Sequence, residues 1–104
     1  MKYEVHSSSY FIPYTLYLIL NNMKITVLTP DKEVFEGAIS SVKVPGIGGQ
    51  FEILGNHAPL VSALGSGEVR LIKEGGERMT FSIEKGFIEV LRNNVSLLVQ
   101  GFSE

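Results

Sequence analysis

The stretch Met79-Thr80-Phe81-Ser82-Ile83 decides the fold, because apolar and polar residues alternate in it one for one. Successive side chains of a β-strand point to opposite faces, so this spacing sets Met79, Phe81 and Ile83 on one side and the hydroxyls on the other. The same period of two recurs upstream in Ile25 and Val27, Val42 and Val44, and Val69 and Leu71, and downstream in Val95, Leu97 and Val99. A helix would repeat every 3.6 residues, and no amphipathic stretch of useful length has that spacing. Between the runs lie Pro30-Asp31-Lys32, Gly46 to Gly49, Gly65-Ser66-Gly67, Gly75-Gly76, Glu84-Lys85-Gly86 and Asn93-Asn94, all rich in turn formers. The pattern predicts an all-β domain of short antiparallel strands, a sandwich or barrel, over residues 23–104. Gly75-Gly76 and Asn93-Asn94 are expected as two-residue hairpin turns, whose central positions both need positive φ. Met79, Phe81 and Phe87 are assigned to the core rather than to a ligand-binding aromatic patch.

One segment departs from plain alternation. Pro45-Gly46-Ile47-Gly48-Gly49-Gln50-Phe51-Glu52-Ile53-Leu54-Gly55-Asn56-His57-Ala58-Pro59-Leu60 packs four glycines, two prolines and a histidine around a short apolar strand. Glycine supplies positive φ and proline fixes φ, so this is a loop specified tightly in shape. Gly46-Ile47-Gly48-Gly49 lacks the Lys-Ser/Thr and the helix start of a phosphate loop and reads as a turn. His57 has two readings, a contact to a partner surface and an imidazole that ties down the Gly55 to Pro59 turn. Catalysis with Glu52 or Ser62 is the remote third.

Composition excludes several classes. The 104 residues suit one domain, and 44% hydrophobic with 19% charged residues suits a packed core. Nine scattered basic residues against eleven acidic ones give a net charge of −2, which argues against nucleic acid. The chain has no cysteine, hence no disulfide or thiolate metal site, and its two histidines stand too far apart in sequence for a local metal motif. No cofactor is expected.

The first 22 residues differ from the rest. Tyr10 to Leu20 is an apolar run of eleven residues, which as a helix would reach only about 16 Å against a hydrocarbon core of about 30 Å. Lys2 is offset by Glu4, no small-residue cleavage site follows Leu20, and the first arginine of the chain is Arg70, so export and transit signals are both disfavoured. Residues 1–22 are read as a disordered or loosely packed extension, or as an artefactual start upstream of a true Met23. A membrane or export element and an extra ordered strand or helix stay open as alternatives.

Met23-Lys24-Ile25-Thr26-Val27-Leu28-Thr29-Pro30 with Val34-Phe35-Glu36-Gly37 resembles the opening of the epsilon subunit of F-type ATP synthases. The resemblance continues through Gly46 and Gly49 followed by Phe51, Ile53-Leu54, His57-Ala58-Pro59-Leu60, Gly67 before Val69-Arg70, and Gly86-Phe87-Ile88-Glu89-Val90 with Asn94-Val95. It covers essentially all of residues 23–104, and its most specific element is Ile-Leu-x-x-His-Ala-Pro.

The resemblance implies a β-sandwich and a non-catalytic part of a rotary machine, at the foot of the central stalk. It implies two partners, the gamma subunit and the polar loops of the membrane rotor ring of c subunits, with no direct membrane insertion. The location implied is peripheral, on the cytoplasmic side of the bacterial inner membrane. Carried over by position, Gly48, Gly49, Gln50, Phe51 and Glu52 would meet the ring, and His57, Ala58, Pro59, Leu60 and Ser62 would meet gamma. Leu60 would then be poorly covered in the free domain.

Two departures qualify the match. Family members usually continue into a helical hairpin that inhibits hydrolysis and in some bacteria binds ATP. Here the sequence ends at Gly101-Phe102-Ser103-Glu104, so neither a nucleotide site nor hairpin-type inhibition is expected. Where the family reads Gly-Glu-x-Gly, this chain reads Gly49-Gln50-Phe51-Glu52. The acidic ring-facing position holds Gln50, and residues i and i+2 of a strand share a face, so Glu52 carries the carboxylate one pleat along. The alternative is that Glu52 is a solvated charge and Gln50 makes neutral hydrogen bonds. Two further function classes stay open: a freestanding sandwich that binds a peptide edge or a glycan, and a small hydrolase built on His57 and Ser62.

Overall fold

The computed structural model describes residues 23–104, and the expectations about residues 1–22 lie outside the described residues. Eight strands follow one another: β1 (Met23–Leu28), β2 (Glu33–Gly46), β3 (Gly49–Leu54), β4 (Leu60–Leu64), β5 (Gly67–Lys73), β6 (Arg78–Ile83), β7 (Lys85–Leu91) and β8 (Asn94–Gln100). No helix occurs among the described residues. The alternation sorts the side chains as the sequence predicts: Ile25, Val27, Val42, Val44, Leu71 and Leu97 are all at 0% exposure.

One continuous eight-stranded sheet folds over into two layers that share β2, with Gly46 of β2 also pairing Leu64 of β4. The first runs β4–β7–β8–β1–β2 and the second β3–β2–β5–β6. The strand β2, at 14 residues, is longer than the short strands expected from sequence, because its two halves do different jobs. Its first half pairs β1 through Phe35 to Ile39, and its second pairs β5 through Ile39 to Lys43 and β3 through Ser41 to Gly46. The register slips between Ile39 and Ser41, and the consecutive residues Ser41 and Val42 are both buried. A bulge of this kind bends a strand around the corner between two packed sheets. One ladder is parallel, β1 on β8, with Ile25 opposite Val95 and Val27 opposite Leu97; the other ladders are antiparallel.

The two predicted hairpins form with shifted centres. Leu91 pairs with Asn94, so the two turn residues are Arg92 (φ 52°) and Asn93 (φ 64°), and Asn94 opens β8. At the other hairpin the Lys73 N–H donates to the Glu77 carbonyl, leaving a three-residue loop, Glu74-Gly75-Gly76, with both glycines at φ 95°. Positive φ was the right requirement; cross-strand pairing sets which residues carry it.

Phe81 is buried and Met79 is half-buried against the core, but Phe87 stands 57% exposed, against the core assignment made for it. The reason lies in its neighbours. Ile88 and Val90 take the inward places of β7, and a strand admits only every second residue to one face. At the far end, Phe102 packs against Phe81 in a tilted pair with ring centroids 4.9 Å apart, and Ser103 exchanges two backbone hydrogen bonds with Ser82.

Candidate functional site

Two features carry the residues singled out in the sequence, and a third emerges from the strand register. The first is the β2–β3 hairpin, closed by the pair Gly46 and Gly49, with Ile47-Gly48 as its two-residue tip. Ile47 is 72% exposed, and Gly48, Gly49 and Gln50 are exposed beside it. Gly46 is required by space: a Cβ there would stand 2.7 Å from both the Gly49 carbonyl oxygen and the Phe51 ring. Phe51 packs its ring against the core and is only half-buried.

Gln50 and Glu52 project from one face of β3, as the pleat dictates, but their surroundings differ. The Glu52 carboxylate accepts a hydrogen bond from Arg70 Nη2 at 3.1 Å, while Gln50 lies next to the tip, opposite Pro45. Lys43 on β2 is in register with both Glu52 and Arg70, so one acidic and two basic side chains form a row across β3, β2 and β5. The Glu52 carboxylate is therefore paired within the sheet while its side chain stays 40% exposed.

The second feature is the loop from Gly55 to Pro59, joining β3 to β4. Asn56 adopts φ 65°, in the left-handed region that asparagine tolerates. His57 Nδ1 lies 2.7 Å from the Ala58 carbonyl oxygen. A carbonyl can only accept, so in the neutral ring Nδ1 carries the proton and Nε2 keeps its lone pair. His57, Ala58 and Pro59 are exposed and Leu60 is half-buried. Ser62 is half-buried on the pleat face it shares with Leu60 and Leu64, and its Oγ donates to the Ala63 carbonyl at 3.2 Å. The imidazole and the hydroxyl thus each bond to the next carbonyl along the chain.

The third feature was not read from the sequence. The outward residues of four adjacent strands form one row, with Ala63 opposite Phe87, Phe87 opposite Leu98, and Leu98 opposite Leu28. Phe87 and Leu98 are 57% and 50% exposed, and Val61 one pleat along β4 is 69% exposed. Pro30 and Gly86 complete an apolar groove of about 560 Å³. A second, shallower cleft runs from Val61 and Ala63 to the Gly46–Gly49 tip. The signal was present in the sequence as doubled apolar residues: Val27-Leu28, Ala63-Leu64, Phe87-Ile88 and Leu97-Leu98. Each pair must send one member outward, and the register collects the four outward members on one row.

No metal-binding group of three or more His, Cys, Asp or Glu side chains is formed among the described residues. No helix among them is long and apolar enough to cross a membrane.

The architecture is shared with chains of solved mitochondrial ATP synthase structures. A chain of the Euglena gracilis OSCP/F1/c-ring structure superposes with a TM-score of 0.74 at 18% identity, covering 99% of this chain and 61% of that one. A chain of the Tetrahymena thermophila central stalk and c-ring structure gives a TM-score of 0.67 at 20% identity, covering 79% and 66%. These likenesses establish the fold. At the level of sequence, the family model described as the ATP synthase, Delta/Epsilon chain, beta-sandwich domain matches residues 22–104, and the chain belongs to that family.

Among curated relatives, the ATP synthase epsilon chain of Chlorobium limicola is 44% identical over 80 residues, covering 77% of this chain and 91% of that protein. The epsilon chain of Leptospira interrogans is 42% identical over 78 residues, covering 75% of this chain but 61% of the relative. This chain therefore spans about three fifths of the Leptospira protein.

Proposed function

We propose that this protein is a non-catalytic central-stalk subunit of a proton-translocating F-type ATP synthase, set between the gamma subunit and the c-subunit rotor ring. Its place is peripheral, on the cytoplasmic side of the bacterial inner membrane. The observation that carries the reading is the apolar row Ala63–Phe87–Leu98–Leu28, on the same sheet as β4, which follows directly on His57-Ala58-Pro59. An apolar face of this kind, rimmed by polar residues, is the surface of a protein that works with a partner against it.

In this reading gamma covers the outer face of the β4–β7–β8–β1 sheet together with the loop that holds His57, Ala58 and Pro59, and reaches Leu60 and Ser62, on the other pleat face of β4, only at the strand's edge. The tip formed by Gly48, Gly49 and Gln50, backed by Phe51 and Glu52, rests on the polar loops of the ring. The two contacts are joined by β2. Its C-terminal end builds the tip, and its N-terminal half is hydrogen-bonded into the sheet that faces gamma. Force applied at the tip is carried along one continuous strand braced by β1, β3 and β5, and a close-packed double layer deforms little under it.

Titration of this chain with the gamma subunit of the same organism tests the reading. A one-to-one complex on size exclusion is expected, weakened by Leu98→Glu. A folded chain that leaves gamma unbound would overturn it.

A further inference from the structure

The β3–β4 loop and the β7–β8 turn are clipped together by two asparagines. Asn93 Oδ1 accepts the backbone N–H of Asn56 at 2.7 Å, and Asn93 Nδ2 donates to Asn56 Oδ1 at 3.2 Å. The orientation of the Asn93 amide is fixed by chemistry, since a backbone N–H can only donate and must therefore meet the oxygen. Both residues are left-handed, at φ 65° and 64°, a conformation few side chains other than asparagine tolerate. Position 93 here supplies both an acceptor and a donor. Aspartate would keep the acceptor for the N–H, and its second oxygen would require the Asn56 amide to turn over and present Nδ2.

The consequence falls on the next residue. With Asn56 held, the backbone leaves it toward His57, whose Nδ1–H bonds the Ala58 carbonyl and whose Nε2 is left with a lone pair on an exposed side chain. We infer that Asn93 is a positioning residue for the partner interface. It holds the His57-Ala58-Pro59 loop in its docking conformation, so that His57 Nε2 receives a hydrogen-bond donor from gamma. The inference rests on the reading that this loop meets gamma. Its energetic basis is pre-organisation: a loop already ordered loses less conformational freedom on binding.

The test uses the full chain and the gamma subunit, with Asn93→Gly and Asn93→Asp. Glycine removes the clip while accepting the left-handed backbone, and thermal melts confirm that each variant is folded. In Asn93→Gly, exchange of the Asn56 amide proton should quicken by about tenfold and affinity for gamma should fall about five- to tenfold. Asn93→Asp keeps the acceptor for the Asn56 N–H and should change both by less than Asn93→Gly does. The deciding measurement is a double-mutant cycle: in a His57→Ala background, Asn93→Gly should weaken binding by less than about twofold further, because its effect passes through His57. If His57→Ala weakens binding while Asn93→Gly leaves exchange and affinity at wild-type values, the positioning role is wrong and the interface stands. If neither variant changes affinity, the placing of this loop at gamma fails and the inference fails with it.

Discussion

Arg70 and Glu52 meet across an intervening strand: the guanidinium Nη2 stands 3.1 Å from Oε2, although β2 runs between their two strands. Lys43 lies between them in register and adds a second positive charge to the row. Glu52→Lys would place three cations side by side. The cost should be about 0.5–1 kcal/mol in urea unfolding at low salt, shrinking as salt is raised, since the pair is partly exposed and screened. The exchanged pair Glu52→Arg with Arg70→Glu should recover most of it. Equal stability of Glu52→Lys and wild type at low salt would show that the pair contributes nothing.

The same relationship separates two candidates for the ring contact. With Glu52 engaged by Arg70 and Gln50 standing beside the tip, Gln50→Lys should alter binding to detergent-solubilised c-ring while Glu52→Gln leaves it within about twofold. The reverse ranking would return the ring contact to the carboxylate.

Leu97 and Leu98 are chain neighbours with opposite exposure, at 0% and 50%. Leu97→Ala opens a cavity in the closed core and should destabilise by about 2–4 kcal/mol in denaturant melts. Leu98→Ala should cost less than about 0.5 kcal/mol yet weaken the gamma complex, and Phe87→Asp should weaken it by at least about tenfold without unfolding the chain. A Leu98→Ala variant that melts like Leu97→Ala would mean the outward row is buried in the free protein.

Gly46→Ala should destabilise the domain by about 1–3 kcal/mol, because the added Cβ meets a backbone oxygen as well as the Phe51 ring. The Phe51 resonances should shift most in NMR spectra, and an unperturbed Phe51 would show that the ring yields freely.

Arg92→Gly should act in the other direction. Arg92 adopts φ 52° in an exposed turn, and relieving that conformation should stabilise by about 0.5–1 kcal/mol, read as a raised melting temperature. A lowered melting temperature would indicate that the arginine side chain makes a contact worth more than the strain.

Strand existence and facing were legible in the sequence because a single physical variable, the alternation of burial, controls both. Ile25, Val27, Val69, Leu71 and Leu97 are buried as expected. What period two does not encode is pairing. Asn94 was given to the turn because Asn-Asn is a good turn dipeptide, and only its pairing with Leu91 moves it into β8. Phe87 goes to the core when the alternation is extended to it, yet Ile88 holds the inward place and Phe87 faces out. The doubling of β2 across two sheets, the Arg70–Glu52 pair and the Asn56–Asn93 clip all join residues distant in sequence, and no local pattern announces them. The hairpin tip and the His57 loop were legible as special segments through their glycines, prolines and histidine, while the apolar row emerged only once the register was known.

The parallel ladder between β1 and β8 ties the first strand of the described residues to the last. On the ribosome, the backbone edge of β1 that takes β8 stays unpaired until Val95 and Leu97 have been synthesised and released from the exit tunnel. Closure of the domain is thus a late, long-range event of high contact order, slower than the assembly of its hairpins. During that interval the unpaired edge of β1 is the site at which a chaperone would protect the nascent chain and at which a neighbouring nascent chain would capture it.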